Sequence, residues 1–189
     1  MYNLQVESPI KDLSHNYAYK NKVYLLEDLT IENTSRLLAD LAEMIEYERS
    51  HTMMIEWYIN SLGGEVAACK SLLTMMKIAN INGIENVSYV MGTAASSASI
   101  LAISANTRYI MNFGSHYIHY GSSGNFSTHP TEAKRNYKDD EIFYNWVKSV
   151  YLEKTAIPEE KLNTLLEHEG GFLYPKECLK YKVVDYIVD

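Results

Sequence analysis

Residues 52–64 read Thr52-Met53-Met54-Ile55-Glu56-Trp57-Tyr58-Ile59-Asn60-Ser61-Leu62-Gly63-Gly64. A run this apolar, closed by Ser-Leu-Gly-Gly, reads as a buried strand that ends in a tight turn. The period then changes. Val66, Cys69, Leu73 and Met76 give the next segment a helical apolar stripe. Asn86–Met91 (NVSYVM) returns to strand character. Strand, turn, helix and strand in this order predict an α/β domain with a largely parallel sheet.

The alternation extends in both directions. Upstream, Lys22–Glu27 is a strand, and residues 34–50 carry Leu37, Leu38, Leu41 and Ile45 at amphipathic-helix spacing. Downstream, Gly92-Thr93-Ala94-Ala95-Ser96-Ser97 leads into a helix of small residues through Ile103. Thr107–Asn112 and His116–His119 are short strands, and Gly121-Ser122-Ser123-Gly124 is a flexible break. A long helix starts near Pro130, with Ile142, Trp146 and Val150 on one face. Pro158-Glu159-Glu160 has the proline-then-acid signature of a helix start, and Val183–Val188 closes as a strand. Residues 1–20 are polar and aperiodic and read as a mobile arm, leaving one domain over 21–189.

A chain of 189 residues buries roughly 70% of its unfolded surface, so no disulfide or metal is needed to fold it. With 47% hydrophobic and 22% charged residues it is neither collagen-like, nor low-complexity, nor largely disordered. The net charge of −7 argues against a nucleic-acid binder. Cys69 and Cys178 are far apart and form no CxxC, which fits a reducing, cytoplasmic setting better than a disulfide framework or zinc site. No apolar signal-peptide segment is visible, and no apolar run approaches the ~18 residues of a membrane span. The histidines show no metal-ligand spacing. Sixteen tyrosines are many for this length and by themselves indicate no chemistry.

Four groups have types suited to catalysis. Ser96 sits at a strand-to-helix junction among small residues, where a nucleophile is exposed and helix N–H groups can stabilise an oxyanion. A capping serine is the plain alternative, and chemistry alone does not choose among Ser96, Ser97 and Ser99. His119 ends a short strand and has the pKa of a general base. His116 lies on the opposite face by alternation, so at most one of the two faces a common site. Gly63-Gly64 can present bare N–H groups to a ligand or make a simple turn. Glu167-His168-Glu169-Gly170-Gly171 offers a carboxylate to orient a histidine, or a charged helix end with a glycine cap.

Taken together, these pieces resemble the proteolytic subunit of Clp protease, ClpP, over roughly residues 20–189. Tyr58-Ile59-Asn60-Ser61-Leu62-Gly63-Gly64 is similar to that family's YINSPGG. Gly92-Thr93-Ala94-Ala95-Ser96 is similar to its G-x-A-A-S, and Ile118-His119 to its I-H. Phe172-Leu173 and Val184-Asp185 are similar to landmarks near its C-terminus. The resemblance implies a crotonase-like spiral of βαβ units with a protruding handle, a strand plus a long helix, at about 120–150. It implies a serine endopeptidase with Ser96 as nucleophile and His119 as base. The N–H groups of Gly63 or Gly64 and of Ser97 would form the oxyanion hole. It further implies heptameric rings, possibly stacked to a tetradecamer, fed with unfolded polypeptide by an AAA+ unfoldase. Residues 1–20 would be axial loops. No cofactor or metal is expected, since ATP is used only by the partner, and no nucleic acid or membrane is involved.

The chain departs from that pattern at Leu62, Ser97 and Tyr120-Gly121, where the family has proline, methionine and Gln-Pro. Counting back from Phe172 puts the acid of the triad at Gly170, whereas counting forward from Thr155 and Leu162 puts it at Glu169. Glu169 is therefore the candidate acid, and a site without a third member is the other reading. Two further readings are a weakly active or inactive ClpP-like subunit that builds or regulates rings, and a crotonase-fold enzyme acting on an acyl thioester.

Overall fold

The computed structural model describes residues 16–48, 54–121, 130–167 and 170–189. In chain order the elements are β1 (Tyr17–Tyr19), β2 (Lys22–Leu25), α1 (Ile31–Glu48), β3 (Met54–Ser61), α2 (Val66–Ile81), β4 (Glu85–Ala95), α3 (Ser97–Ile103), β5 (Thr107–Met111), β6 (Ser115–Ile118), α4 (Pro130–Lys154), α5 (Glu159–Glu167), β7 (Gly171–Leu173), α6 (Pro175–Lys180) and β8 (Tyr186–Val188). The strands form one mixed sheet in the order β1-β2-β3-β4-β5-β8, with β6 attached to β4 and β7 to β6. The pairs β2–β3, β3–β4, β4–β5, β4–β6 and β5–β8 are parallel. Only the hairpin β1–β2 and the pair β6–β7 are antiparallel among the described strands.

Strand β4 decides where chemistry can be placed. Its first half, Val87–Val90, pairs with β5, and its last residues, Thr93–Ala95, pair with β6. The sheet forks at this point, so β6 runs beside the end of β4, where α3 begins. Gly92 to Ala95 therefore continue the strand that the sequence reading ended at Met91.

The two faces of the sheet differ in composition because side chains alternate along each strand. Val23, Leu25, Ile55, Trp57, Ile59, Val90 and Ile110 are buried on one face, in one core with Leu37 and Leu41 of α1 and Leu72 and Met76 of α2. Burying a side chain the size of leucine or isoleucine stabilises the fold by roughly 1.5–3 kcal/mol each. Trp57 donates its indole N–H to Asn86 Oδ1 at 2.9 Å, and the Asn86 amide donates to Met76 O and Asn80 Oδ1, so this buried polar pair is bonded on both sides. On the other face, Tyr17, Tyr24, Tyr58, Tyr89, Tyr109 and Tyr186 occupy directly paired positions on six neighbouring strands. Their rings stack with successive centroids 4.7, 5.1, 5.0, 4.9 and 5.0 Å apart. Each such pair contributes about 0.5–1.5 kcal/mol beyond burial. The tyrosine excess thus has a structural role.

The C-terminal strand is held by charge. Arg108 grips Asp185 through Nε at 3.1 Å and Nη2 at 2.8 Å, and its Nη1 donates to Lys154 O at the end of α4. Burial would raise the Asp185 carboxyl, but the hydrogen bonds and charge of Arg108 outweigh it and hold the group below its ordinary value.

Three departures from the sequence reading stand out. Residues 17–19, assigned to the arm, form edge strand β1, and Asn16 before them is buried, its Oδ1 accepting from Leu26 and Glu27 N–H. A three-residue strand is too short to show a period. The same holds for β7, and α6 is only six residues long. On α4 Val147 and Tyr151 are fully buried, and Trp146 and Val150 of the expected face pack partly buried against the core, whereas Ile142 is exposed. Residues 1–15 and the glycine-serine break at 122–124 lie outside the described residues.

Candidate active site

At the fork of β4, Ser96 sits between Ala95, the last residue of the strand, and Ser97, the first of α3. Its backbone has φ 52° and ψ −125°, a conformation a non-glycine residue adopts only when its surroundings impose it. Those surroundings are visible. The Ser96 N–H donates to Tyr117 O of β6 at 2.9 Å, and the Ile100 N–H donates back to Ser96 O at 3.2 Å. The turn is thereby tied to the strand before it, the helix after it and β6 beside it. The Ser96 hydroxyl makes no capping bond to α3, so its position is not explained by capping.

The glycine turn after β3 closes on the same point. Gly63 has φ 91°, and a Cβ there would lie 2.6 Å from Ala95 O, 2.9 Å from Ser96 Cβ and 2.9 Å from Ser97 N. Only glycine lets the two turns touch. Ser61 braces this turn, donating to Glu27 O at 2.6 Å and accepting from Gly63 N–H at 3.1 Å. Ser97 fastens it to the helix by donating its hydroxyl to Gly64 O at 2.9 Å. Because Gly63 N–H is already taken, Gly64 is the glycine whose N–H has no acceptor among the described residues. Ser97 N opens α3, where first-turn N–H groups lack helical partners. An opening of about 300 Å³, lined by Leu26, Asn60, Leu62 and Thr93 among others, lies beside this cradle.

His119 follows directly after β6, whose Ala95↔Tyr117 pairing brings it to the end of β4. Burial lowers its imidazole pKa below the ordinary 6.5, which favours the neutral base at neutral pH. Its ring lies 5.3 Å from that of Tyr117, and a Cβ on Gly170 would come within 2.8 Å of His119 Cβ. No hydrogen bond joins Ser96 and His119 in this structure. His116, on the other face of β6, is fully buried. Glu169, the candidate acid, lies outside the described residues, as does His168.

The structure thus brings Gly63, Gly64, Ser96 and Ser97 into one cradle and sets His119 on the neighbouring strand. The sequence reading missed the bracing residues. Ser61 and Asn60 were in view as part of the YINS stretch, but their roles depend on contacts with Glu27 and Thr93, which are distant in sequence. Tyr117 supplies only a backbone oxygen to Ser96, and no residue-type signal marks that. Among the described residues no group of three or more His, Cys, Asp or Glu is placed to hold a metal ion, and no helix is long and apolar enough to cross a membrane.

Compared with known proteins, the chain matches the family model described as Clp protease over residues 7–189. None of the curated proteins compared with it matches.

Proposed function

The chain belongs to the Clp protease family, and from that premise we propose that it is a serine endopeptidase subunit that cleaves unfolded polypeptides by acyl-enzyme chemistry. The observation that carries this reading is the Ser96 backbone, strained at φ 52° against a glycine turn that no larger residue could approach. A plain helix cap needs neither the strain nor the glycine.

In the proposed reaction, His119 takes the Ser96 proton as Oγ attacks the scissile carbonyl. The N–H groups of Gly64 and Ser97 stabilise the tetrahedral oxyanion. His119 then protonates the leaving amine, and water attacks the acyl-enzyme by the reverse path. The missing Ser96–His119 hydrogen bond is compatible with this, since catalytic bonds often tighten only in the substrate complex. Glu169 is the proposed orienting acid. It immediately precedes Gly170 in the chain, and Gly170 lies against His119. The Gly63-Gly64 segment holds substrate by strand addition.

The proposal extends to one domain that takes in β1 and runs to residue 189, with a handle at about 120–150 and an axial arm confined to the residues before Asn16. The family generally forms rings and works with AAA+ unfoldases. For this chain we propose heptameric rings, stacked in pairs, which need no cofactor of their own because the partner consumes the ATP. Two buried free cysteines suit a reducing cytoplasm.

Peptide mapping after fluorophosphonate treatment, beside light scattering, tests the reading. An adduct on Ser96 is expected. A large ring with no adduct would replace the peptidase with a ring-building, non-catalytic subunit.

A further inference from the structure

Beneath the candidate pair lies a second, fully buried set of polar side chains. Tyr151 of α4 donates its hydroxyl to Ser99 Oγ at 2.8 Å. Ser99 Oγ in turn lies 2.8 Å from His116 Nδ1. The three residues have relative exposures of 1%, 0% and 0%. Tyr151 belongs to the same apolar core as Ala98, Leu101, Ile118 and Val147. Burial holds the His116 imidazole neutral, aided by the nearby Arg108 charge. The bond to Ser99 uses Nδ1 in either tautomer, which leaves Nε2 as the far end of the chain. That atom is buried and has no hydrogen-bond partner among the described residues. A polar chain left unsatisfied at one end is less stable than apolar side chains of the same size, so stability alone does not account for it.

We infer that Tyr151, Ser99 and His116 form a positioning chain for the candidate catalytic pair. The inference rests on the proposed function. Ser99 lies in the first turn of α3, three residues past Ser96 at the helix start, and His116 lies on β6, three residues before His119 at the strand's end. The Ser99–His116 bond therefore ties the element that carries the nucleophile to the element that carries the base. Hydrogen bonds are directional where apolar contacts are not, so this bond sets the rotation of α3 against β6. A turn of roughly 15° moves an atom ~4 Å from a helix axis by about 1 Å. A misplacement of that size can cost roughly 10²-fold in rate. Tyr151 adds α4 as a third member, so a shift of that long helix is transmitted to Ser99. None of the three touches substrate.

The test uses the assembled full-length protein and two variants. Tyr151→Phe removes one hydroxyl and keeps the ring, whereas Ser99→Ala removes the centre of the chain. Val147→Ala, one turn from Tyr151 and outside the chain, controls for loss of core packing. The readouts are kcat and KM on a fluorogenic peptide, the rate of fluorophosphonate acylation, and hydrogen exchange over residues 96–101 and 115–119. We expect kcat and acylation to fall about threefold in Tyr151→Phe and about tenfold in Ser99→Ala, with KM within about twofold. Exchange rises in both segments, and Val147→Ala keeps its kcat. Unchanged kcat in both chain variants overturns the inference, as does an equal loss in Val147→Ala. If the parent protein neither cleaves peptide nor takes the probe, the proposed function fails. Exchange then decides the positioning claim by itself, and unchanged exchange in Ser99→Ala overturns it.

Discussion

The described residues include two serine–histidine pairs, three residues apart both at the start of α3 and at the end of β6. Ser99 and His116 are bonded at 2.8 Å and are sealed from solvent. Ser96 and His119 are unbonded, yet the serine is strained, a glycine turn leans on it and the histidine is half-buried. The pair that looks like a dyad on distance alone cannot receive a substrate. The pair proposed to receive one is not closed by a hydrogen bond. A hydrogen bond between a hydroxyl and an imidazole is therefore poor evidence of catalysis. Access, donors aimed at a reacting oxygen and a base that titrates near neutrality discriminate better. The inner pair satisfies none of these, because burial drives the His116 pKa down to about 3.

Five measurements break or sharpen this contrast. Ser96→Ala should lower kcat/KM on a peptide by on the order of 10⁴-fold or more, against about tenfold for Ser99→Ala. Equal losses would erase the distinction between the pairs. Gly63→Ala places a methyl group against Ala95 O and Ser96 at a positive φ. It should cost roughly 10²-fold in acylation rate and about 1–3 kcal/mol in melting experiments. A silent Gly63→Ala would mean that the cradle is not what holds Ser96.

The histidines should also separate by pH. His119 acts only when neutral, and its lowered pKa puts the acid limb of kcat/KM below pH 6.5. A limb above 6.5 would reveal a carboxylate beside it, and Glu169→Gln should then move it down. His116 instead acts on stability. It is neutral when folded, with a pKa of about 3, and protonates at 6.5 when unfolded. Its contribution is complete above pH 6.5 and is lost as pH falls from 6.5 toward 3, by up to about 1.36 kcal/mol per unit. His116→Met should flatten the pH dependence of the melting temperature in that window. The smallest effect is Tyr89→Leu in the tyrosine row. It should cost about 1 kcal/mol and leave acylation unchanged, showing that lost stability alone does not disarm Ser96.

Much of this was legible before the structure. An apolar run closed by a glycine turn carried β3, and the Leu37, Leu41 and Ile45 spacing carried α1, whose three residues are all buried. Composition at the junctions marked the turns at 63–64 and 92–99, since small residues and glycines are what close approach demands, and only the resemblance singled out Ser96 among three serines. Short elements escaped because β1 and β7 have three residues each and hold their place through partners far away in sequence. The tyrosine row was invisible for the same reason. Its members are spread from residue 17 to residue 186 and align only once the register of six strands is set. The inner polar chain joins three elements in the same way. Ser99 had been weighed only as a rival nucleophile, and His116 only as the histidine facing away.

The tyrosine row has an optical consequence. Six phenol chromophores stacked about 5 Å apart and nearly parallel, with interplanar angles of 10–23°, couple their electronic transitions. They should give the folded chain a strong near-ultraviolet dichroism band, which vanishes when strand register is lost even if helical signal survives. Trp57, on the same β3 strand one residue from Tyr58, is near enough to accept their excitation. The sheet therefore carries its own label, and excitation of tyrosine with emission from tryptophan reports register in real time without any attached dye.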